Sequence, residues 1–304
     1  MPDSLPTCAV IIPCYNGARF IASTLSSVLS QTRPPSEIWV IDDGSTDESA
    51  AIAEGLAGPI RVVRQRNRGE SVARNVGLRN ATTDYVLFLD ADDMIAPESL
   101  ERMLRAVANK PGAVAVMGLV IFTDDPGAPL GHSMPAFGGF WPAVLQSNFG
   151  PPHCLLVPRE LALRLGGFRE DLANSEDWEF LGRLALSNAS LVEVPYEGAL
   201  YRRHPNSQVA TTPKPAILLG RLFVCETLAT GLLERPDLLA EYGEALFWSL
   251  RAMWLQAAEG GAPPDALRQA ESLLKRIAQA RIPSMRRSLF VRTVGLIGPR
   301  LAER

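Results

Sequence analysis

Metal-type cysteine pairs are missing from this chain. Its four cysteines, Cys8, Cys14, Cys154 and Cys225, include no Cys-x-x-Cys spacing and sit mostly in apolar stretches. That excludes the common zinc and dithiol frameworks and suits reduced structural thiols in a cytoplasm. A surplus of positive charge is also missing. Thirty Lys and Arg against 33 Asp and Glu leave a formal net charge of -3, which argues against nucleic acid as a partner on bulk electrostatics. The opening stretch, MPDSLPTCAVIIP, has no basic segment followed by a long apolar run, so no secretory signal is expected. The longest apolar run, Ala113 to Phe122, is about half the ~20 residues needed to span a bilayer. It reads as a core strand. No Walker loop and no internal repeat is visible.

What is present is an ordinary foldable composition, 47% hydrophobic and 21% charged with 24 Gly and 24 Pro over 304 residues. One main core with an extension is the expected organisation. The first hundred residues alternate between two periods. TCAVIIP (Thr7 to Pro13), EIWVIDD (Glu37 to Asp43), IRVVRQ (Ile60 to Gln65) and YVLFL (Tyr85 to Leu89) read as strands, and the segments between them space their apolar residues as helices do. The second of those helices is expected to be capped by Ser45 or Thr46 and to end near Gly58. A further helix is expected over 97–108. This order predicts an α/β fold with a mostly parallel central sheet flanked by helices. Beyond it, HCLLVP reads as a strand, RELALRLGGF and EDWEFLGRLALSN as helices, and LVEVP and ALYRR as two short strands. The stretch from Asp124 to Pro152 reads as one long Gly- and Pro-rich loop. From Pro215 the sequence turns to Leu, Ala and Glu at helical spacing, giving an α/β domain over 1–212 and a helical C-terminal region over 213–304.

In parallel sheets of this kind ligands bind outside the carboxyl ends of the strands. Here those ends carry Tyr15 and Asn16, Asp42 and Asp43, Asn67 and Arg68, then Asp90, Asp92 and Asp93. Clustered aspartates repel by about 3 kcal/mol per pair at roughly 5 Å and an effective dielectric near 20. Asp90 and Asp92 are spaced to share a hard cation, Mg²⁺ or Mn²⁺, that phosphates also hold; a turn with a helix cap is the alternative. DDGSTD (Asp42 to Asp47) is either a Gly turn with a capped helix or a set of acceptors for a base edge and ribose hydroxyls. Arg74 is either a surface arginine or a partner for a diphosphate.

In their order, VIIPCYNGARFIASTLSSVLSQT, VIDDGSTDES, NRGESVARNVGL and YVLFLDADD resemble family 2 glycosyltransferases of the GT-A fold, densely over residues 7 to 105. LGGFREDLANSEDWEFLGRLA and YRRHPNS resemble the same family's acceptor-side segment and site-closing basic strand. The resemblance implies Asp92 as metal ligand for Mn²⁺ or Mg²⁺, with Asp90 toward ribose. It implies Tyr15, Asp42 and Asp43 around the base, Arg74 in the nucleotide pocket, and Asp177 as the catalytic base. Glu176 stands beside the base, Trp178 lines the sugar or acceptor subsite, and His204 completes the metal or diphosphate site. The implied reaction is inverting transfer from a nucleotide-diphosphate sugar, UDP before GDP or dTDP, to a hydroxyl of a glycan or lipid-linked acceptor. A nucleotidyltransferase is a weaker reading, because PCYNGARF is not that class's Gly-rich phosphate loop. A nucleotide-sugar sensor that binds without transfer is the reading from another class. The terminal RIPSMRRSLFVRTVGLIGPRLAER spaces Ile282, Met285, Leu289 and Leu296 on one helical face among arginines. It suits either peripheral contact with the inner membrane face or packing on this chain or a second copy.

Overall fold

The computed structural model describes residues 5–123, 128–134, 139–146 and 150–281. The terminal segment named above therefore lies outside the described residues. In chain order the elements begin with β1 (Cys8–Cys14), α1 (Ile21–Leu29), β2 (Glu37–Asp42), α2 (Ser49–Gly55), β3 (Ile60–Arg64), α3 (Glu70–Asn80) and β4 (Tyr85–Phe88). There follow β5 (Met94–Ile95), α4 (Ser99–Ala108), β6 (Val114–Phe122), β7 (Gly131–Ser133), α5 (Phe140–Gln146), β8 (Leu155–Pro158), α6 (Arg159–Arg164), α7 (Glu176–Leu186) and β9 (Leu191–Arg202). The last four helices are α8 (Gln208–Thr211), α9 (Lys214–Leu233), α10 (Pro236–Glu259) and α11 (Pro264–Arg281).

The chain divides into two compact units. The first comprises Met1–Phe140, Asn148–Asp171 and Asn188–Ala210; the second comprises Trp141–Ser147, Leu172–Ser187 and Thr211–Arg304.

The first unit holds the sheet, in the order β3-β2-β1-β4-β8-β6-β9-β5, with β7 paired to β6. Strands β3, β2, β1 and β4 run parallel, as the alternating pattern predicts. The rest is mixed: β8 lies antiparallel to both β4 and β6, while β6 and β9 pair in parallel. Every residue of β1 is buried, because the strand has a neighbour on each edge and helices over its side chains. Fully burying one such aliphatic side chain contributes about 1.5–3 kcal/mol. Helix α4 shows the same logic at helical period, burying Leu100, Met103, Leu104 and Val107 at positions i, i+3, i+4 and i+7. All four cysteines are buried free thiols.

Three expectations change in detail. The stretch from Asp124 to Pro152 is not one bare loop, since it contains β7, α5 and the start of a single 3-10 turn, Pro152–Cys154. LVEVP and ALYRR form one continuous strand, β9, whose register against β6 shifts around Gly118. That irregularity absorbs Pro195, which has no N–H to give to a ladder. Helix α2 starts at Ser49 rather than after Ser45 or Thr46, which are engaged elsewhere, and it stops at Gly55.

The second unit is helical. Trp178 packs on the inner side of α7 and donates its indole N–H to the Val144 carbonyl at 3.0 Å. Trp141 stacks on Tyr242 with ring centroids 5.1 Å apart, and Ser249 Oγ donates to the Leu145 carbonyl. Helix α9 is the one described helix long and apolar enough by length and composition to cross a membrane. In this unit it buries Leu218, Leu222, Val224, Leu228 and Leu232 among its helical neighbours, as a core helix does.

Candidate active site

One end of the sheet in the first unit is built from loops that follow consecutive parallel strands. Asn16, after β1, adopts a left-handed backbone with φ 50°. Its N–H donates to Ser45 Oγ at 2.9 Å, and its Oδ1 accepts the Thr46 N–H at 2.8 Å. Asp47 accepts the Ala18 N–H at 3.0 Å, so the loops after β1 and β2 are fastened together. Burial raises the Asp47 carboxyl, but hydrogen bonds from Ser49 and Ala18 outweigh it and hold the group below the usual carboxylate range. Gly44 has φ 81°, and a Cβ there would stand 2.9 Å from the Asn67 amide nitrogen. Only glycine fits this turn without displacing the loop after β3. Tyr15 stands 54% exposed at the rim, a phenol ring open for stacking.

Asp42 and Asp43 are both buried. Asp42 Oδ1 accepts the Ser45 N–H at 3.0 Å. Asp43 accepts from Gln65 Nε2 at 2.7 Å and from the backbone N–H groups of Arg68 and Gly69 at 2.9 and 2.8 Å. Its carboxylate therefore fixes the Asn67–Arg68–Gly69 loop as well as offering an acceptor edge.

Arg74, on α3, is 2% exposed rather than a surface arginine. Its Nη2 donates to Asp90 Oδ1 at 2.7 Å and to Glu70 Oε1 at 2.6 Å, and the guanidinium lies 5.0 Å from the Phe168 ring centroid. Burial raises the Asp90 carboxyl, yet the Arg74 charge and hydrogen bond more than reverse this and hold it low. The structure thus brings Arg74 and Asp90 together, with Glu70 as a partner that the sequence reading did not name. The signal for Glu70 was there, in its i, i+4 spacing to Arg74.

Asp92 and His204 also meet: Nε2 of His204 stands 2.8 Å from Asp92 Oδ2. Burial and the Asp90 charge push the Asp92 carboxyl up. The end of β9 is locked to this loop by Arg202. Its backbone N–H donates to Asp93 Oδ1 at 2.7 Å, its Nε donates to the Asp92 carbonyl at 2.9 Å, and its guanidinium sits 4.7 Å from the Phe122 ring. Asp93 does not cap the following helix, whose N-cap is Glu98. On its other side stands His153, fully buried, with Nδ1 3.5 Å from Asp93 Oδ2. Sequence reasoning missed His153. Nothing local marks it, because the residue lies in an aperiodic stretch and only the pairing of β8 with β4 and β6 carries it to the Asp loop.

Glu176, Asp177 and Trp178 open α7 in the second unit. Ser175, just before them, has φ 62°, a left-handed backbone that costs a non-Gly residue roughly 1–2 kcal/mol. Asp177 is half-buried, whereas Glu176 and Trp178 are 5% and 4% exposed. Trp178 thereby serves as packing behind the helix start. Three acidic residues in the first turn, Glu176, Asp177 and Glu179, complement the positive end of the helix dipole.

A partly parallel α/β sheet whose strand ends hold carboxylate acceptors, a buried arginine and a carboxylate–histidine pair is the architecture of α/β folds that bind ligands at the carboxyl ends of their strands. Comparison with known proteins narrows it. The family described as Glycosyl transferase family 2 matches residues 9–161, and this chain belongs to that family. Among similar proteins, the Bacillus subtilis uncharacterized glycosyltransferase EpsJ is 30% identical over 227 residues, 70% of this chain and 66% of its own length. An uncharacterized glycosyltransferase of Haemophilus influenzae is 27% identical over 58% of this chain and 61% of its own. The chain thus spans somewhat under two thirds of these relatives' lengths. In fold it is similar to residues 1–349 of S. aureus TarS in complex with UDP-GlcNAc, at TM-score 0.62 and 19% identity over 93% of this chain and 92% of the other. A mannosyltransferase, PcManGT from Pyrobaculum calidifontis in complex with GDP-Man and Mn²⁺, matches at TM-score 0.54 and 21% identity over 97% of this chain and 81% of the other. These likenesses establish the GT-A fold.

Proposed function

We propose that this chain transfers a sugar from a nucleotide-diphosphate donor, a UDP-sugar before a GDP- or dTDP-sugar, to a hydroxyl of a glycan or lipid-linked acceptor, with inversion. The observation that carries the reading is the strand end after β4, where one short loop holds both the Arg74–Asp90 pair and the Asp92–His204 pair. Tyr15 stacks on the base, Asp42 and Asp43 present acceptors to its N–H edge and hold the loop around it, and Asp90 receives ribose. Arg74 keeps the charge of Asp90 fixed and adds positive potential toward the diphosphate.

Asp92 and His204 fit a divalent cation of the Mn²⁺ or Mg²⁺ type, since a partly exposed carboxylate oxygen and an imidazole nitrogen stand 2.8 Å apart. When bound, such an ion neutralises charge that develops on the departing diphosphate. Asp177 takes the proton of the acceptor hydroxyl as that oxygen bonds to the anomeric carbon, while the bond from that carbon to the diphosphate oxygen breaks. One displacement of this kind inverts the anomeric centre. The buried free thiols fit a reducing cytoplasmic setting, at the inner membrane face where lipid-linked acceptors sit.

The test is thermal stabilisation by a panel of UDP-, GDP- and dTDP-sugars with Mn²⁺ or Mg²⁺. At least one donor raises the Tm in the presence of metal, and Asp92→Asn removes the metal-dependent part. Equal donor affinity in wild type and Asp92→Asn shows the metal assignment to be wrong.

A further inference from the structure

We propose that Asp90, Asp93 and His153 bind a divalent first-row transition ion of their own, separate from the cation that Asp92 and His204 would share. One ligand atom from each of the three residues lies within 4.8 Å of the others, close to the span that a common ion at ordinary metal–ligand distances draws together. Unpartnered atoms point to the same place. Among the described residues, both ring nitrogens of His153 and Oδ2 of Asp93 have no hydrogen-bond partner, although the side chains are 0% and 1% exposed. Buried polar groups are nearly always satisfied, and three orphans side by side are what a missing shared ligand leaves behind.

The His153–Asp93 contact does not satisfy them. At 3.5 Å it is too long for a good hydrogen bond.

The rigidity of the loop agrees with this assignment. The Arg74 guanidinium holds Glu70 and Asp90, while Arg202 fixes the same loop with its backbone N–H on Asp93 Oδ1 and its Nε on the Asp92 carbonyl. His153 is also well placed to be a ligand, because it lies in the buried turn Pro152–Cys154 that leads directly into β8. One nitrogen with two carboxylates favours Mn²⁺, Fe²⁺ or Zn²⁺ over Mg²⁺ or Ca²⁺.

The experiment uses the full chain, freed of metal by dialysis and titrated with Co²⁺ and with Mn²⁺ in the absence of any nucleotide. The expected result is one tight equivalent of Co²⁺ with a visible absorption band, retained in Asp92→Asn and weakened at least tenfold in His153→Gln and in Asp93→Asn. Should both latter variants fail to fold, wild type decides alone through the water-proton relaxation of bound Mn²⁺. A buried ion gives low enhancement, and a solvent-facing one gives high enhancement and overturns the proposal. It is equally overturned by no tight Co²⁺ without nucleotide, or by one equivalent that Asp92→Asn removes and His153→Gln keeps. Those outcomes would mean a protonated Asp93 lying against a neutral His153. The titration contains no donor, so its failure leaves the transferase reading untouched.

Discussion

Arg74 is the residue whose removal the first unit should tolerate least. It is 2% exposed and its guanidinium joins Glu70 to Asp90, so Arg74→Met leaves two carboxylates facing each other without their cation. Breaking a buried pair by removing one partner typically costs about 3–5 kcal/mol. Because Glu70 and Asp90 retain some exposure, the lower end, about 3 kcal/mol, is expected in urea unfolding, together with loss of donor binding. Glu37 provides the acid-side prediction. Burial raises its carboxyl, but hydrogen bonds from Thr82 and from the Trp39 indole more than offset this and hold it below its ordinary value of 4.5. A group depressed in the folded state stabilises above its unfolded pKa and loses that contribution as pH falls through the folded one. Stability should therefore drop below about pH 4.5, and Glu37→Gln should flatten that part of the pH–stability curve. A slope unchanged by the substitution would count against this reading. The residue scale also shows where sequence reasoning stops. Asp92 and His204, 112 positions apart, could be paired beforehand because each lies in a recognisable motif. His153 could not, since its meaning comes entirely from what the fold places beside it.

At the level of elements, the strand–loop–helix repeats of the first hundred residues were legible because apolar period and turn residues agree there. Legibility ended where strands reverse direction. Neither the antiparallel insertion of β8 between β4 and β6 nor the fusion of two apolar stretches into β9 follows from local pattern. The cap of α2 was misread for a related reason: Ser45 and Thr46 are good caps, but Asn16 from another loop claims them. The fastening of those loops yields a prediction of its own. Gly44→Ala forces φ 81° on a residue with a Cβ that stands 2.9 Å from Asn67 N. Left-handed strain alone amounts to roughly 1–2 kcal/mol, so a Tm fall of several degrees is expected, with weakened donor affinity and little change in secondary structure by circular dichroism. An unaltered donor affinity would detach this turn from the base site.

Over the whole molecule, a change in composition near residue 213 signalled the helical region, and α9, α10 and α11 occupy it. Composition could not show that the compact helical unit also takes in Leu172–Ser187, with Asp177 at the start of α7, since that segment is joined to its neighbours by packing rather than by sequence. The division makes a functional prediction. If the proposed function holds, Asp177→Asn alters the helical unit and leaves the strand-end loops of the sheet unit intact, so it should lower the turnover rate by at least a hundredfold while changing donor affinity less than about threefold. Asp92→Asn should do the reverse to affinity. The most direct measurement of the central claim is release of nucleoside diphosphate from UDP-, GDP- and dTDP-sugars with Mn²⁺, in wild type and these two variants, alongside donor binding by calorimetry. The account predicts release from at least one donor by wild type, loss in both variants, and retained binding in Asp177→Asn alone. Binding of a donor with no release in wild type, or neither binding nor release with any donor, would contradict it.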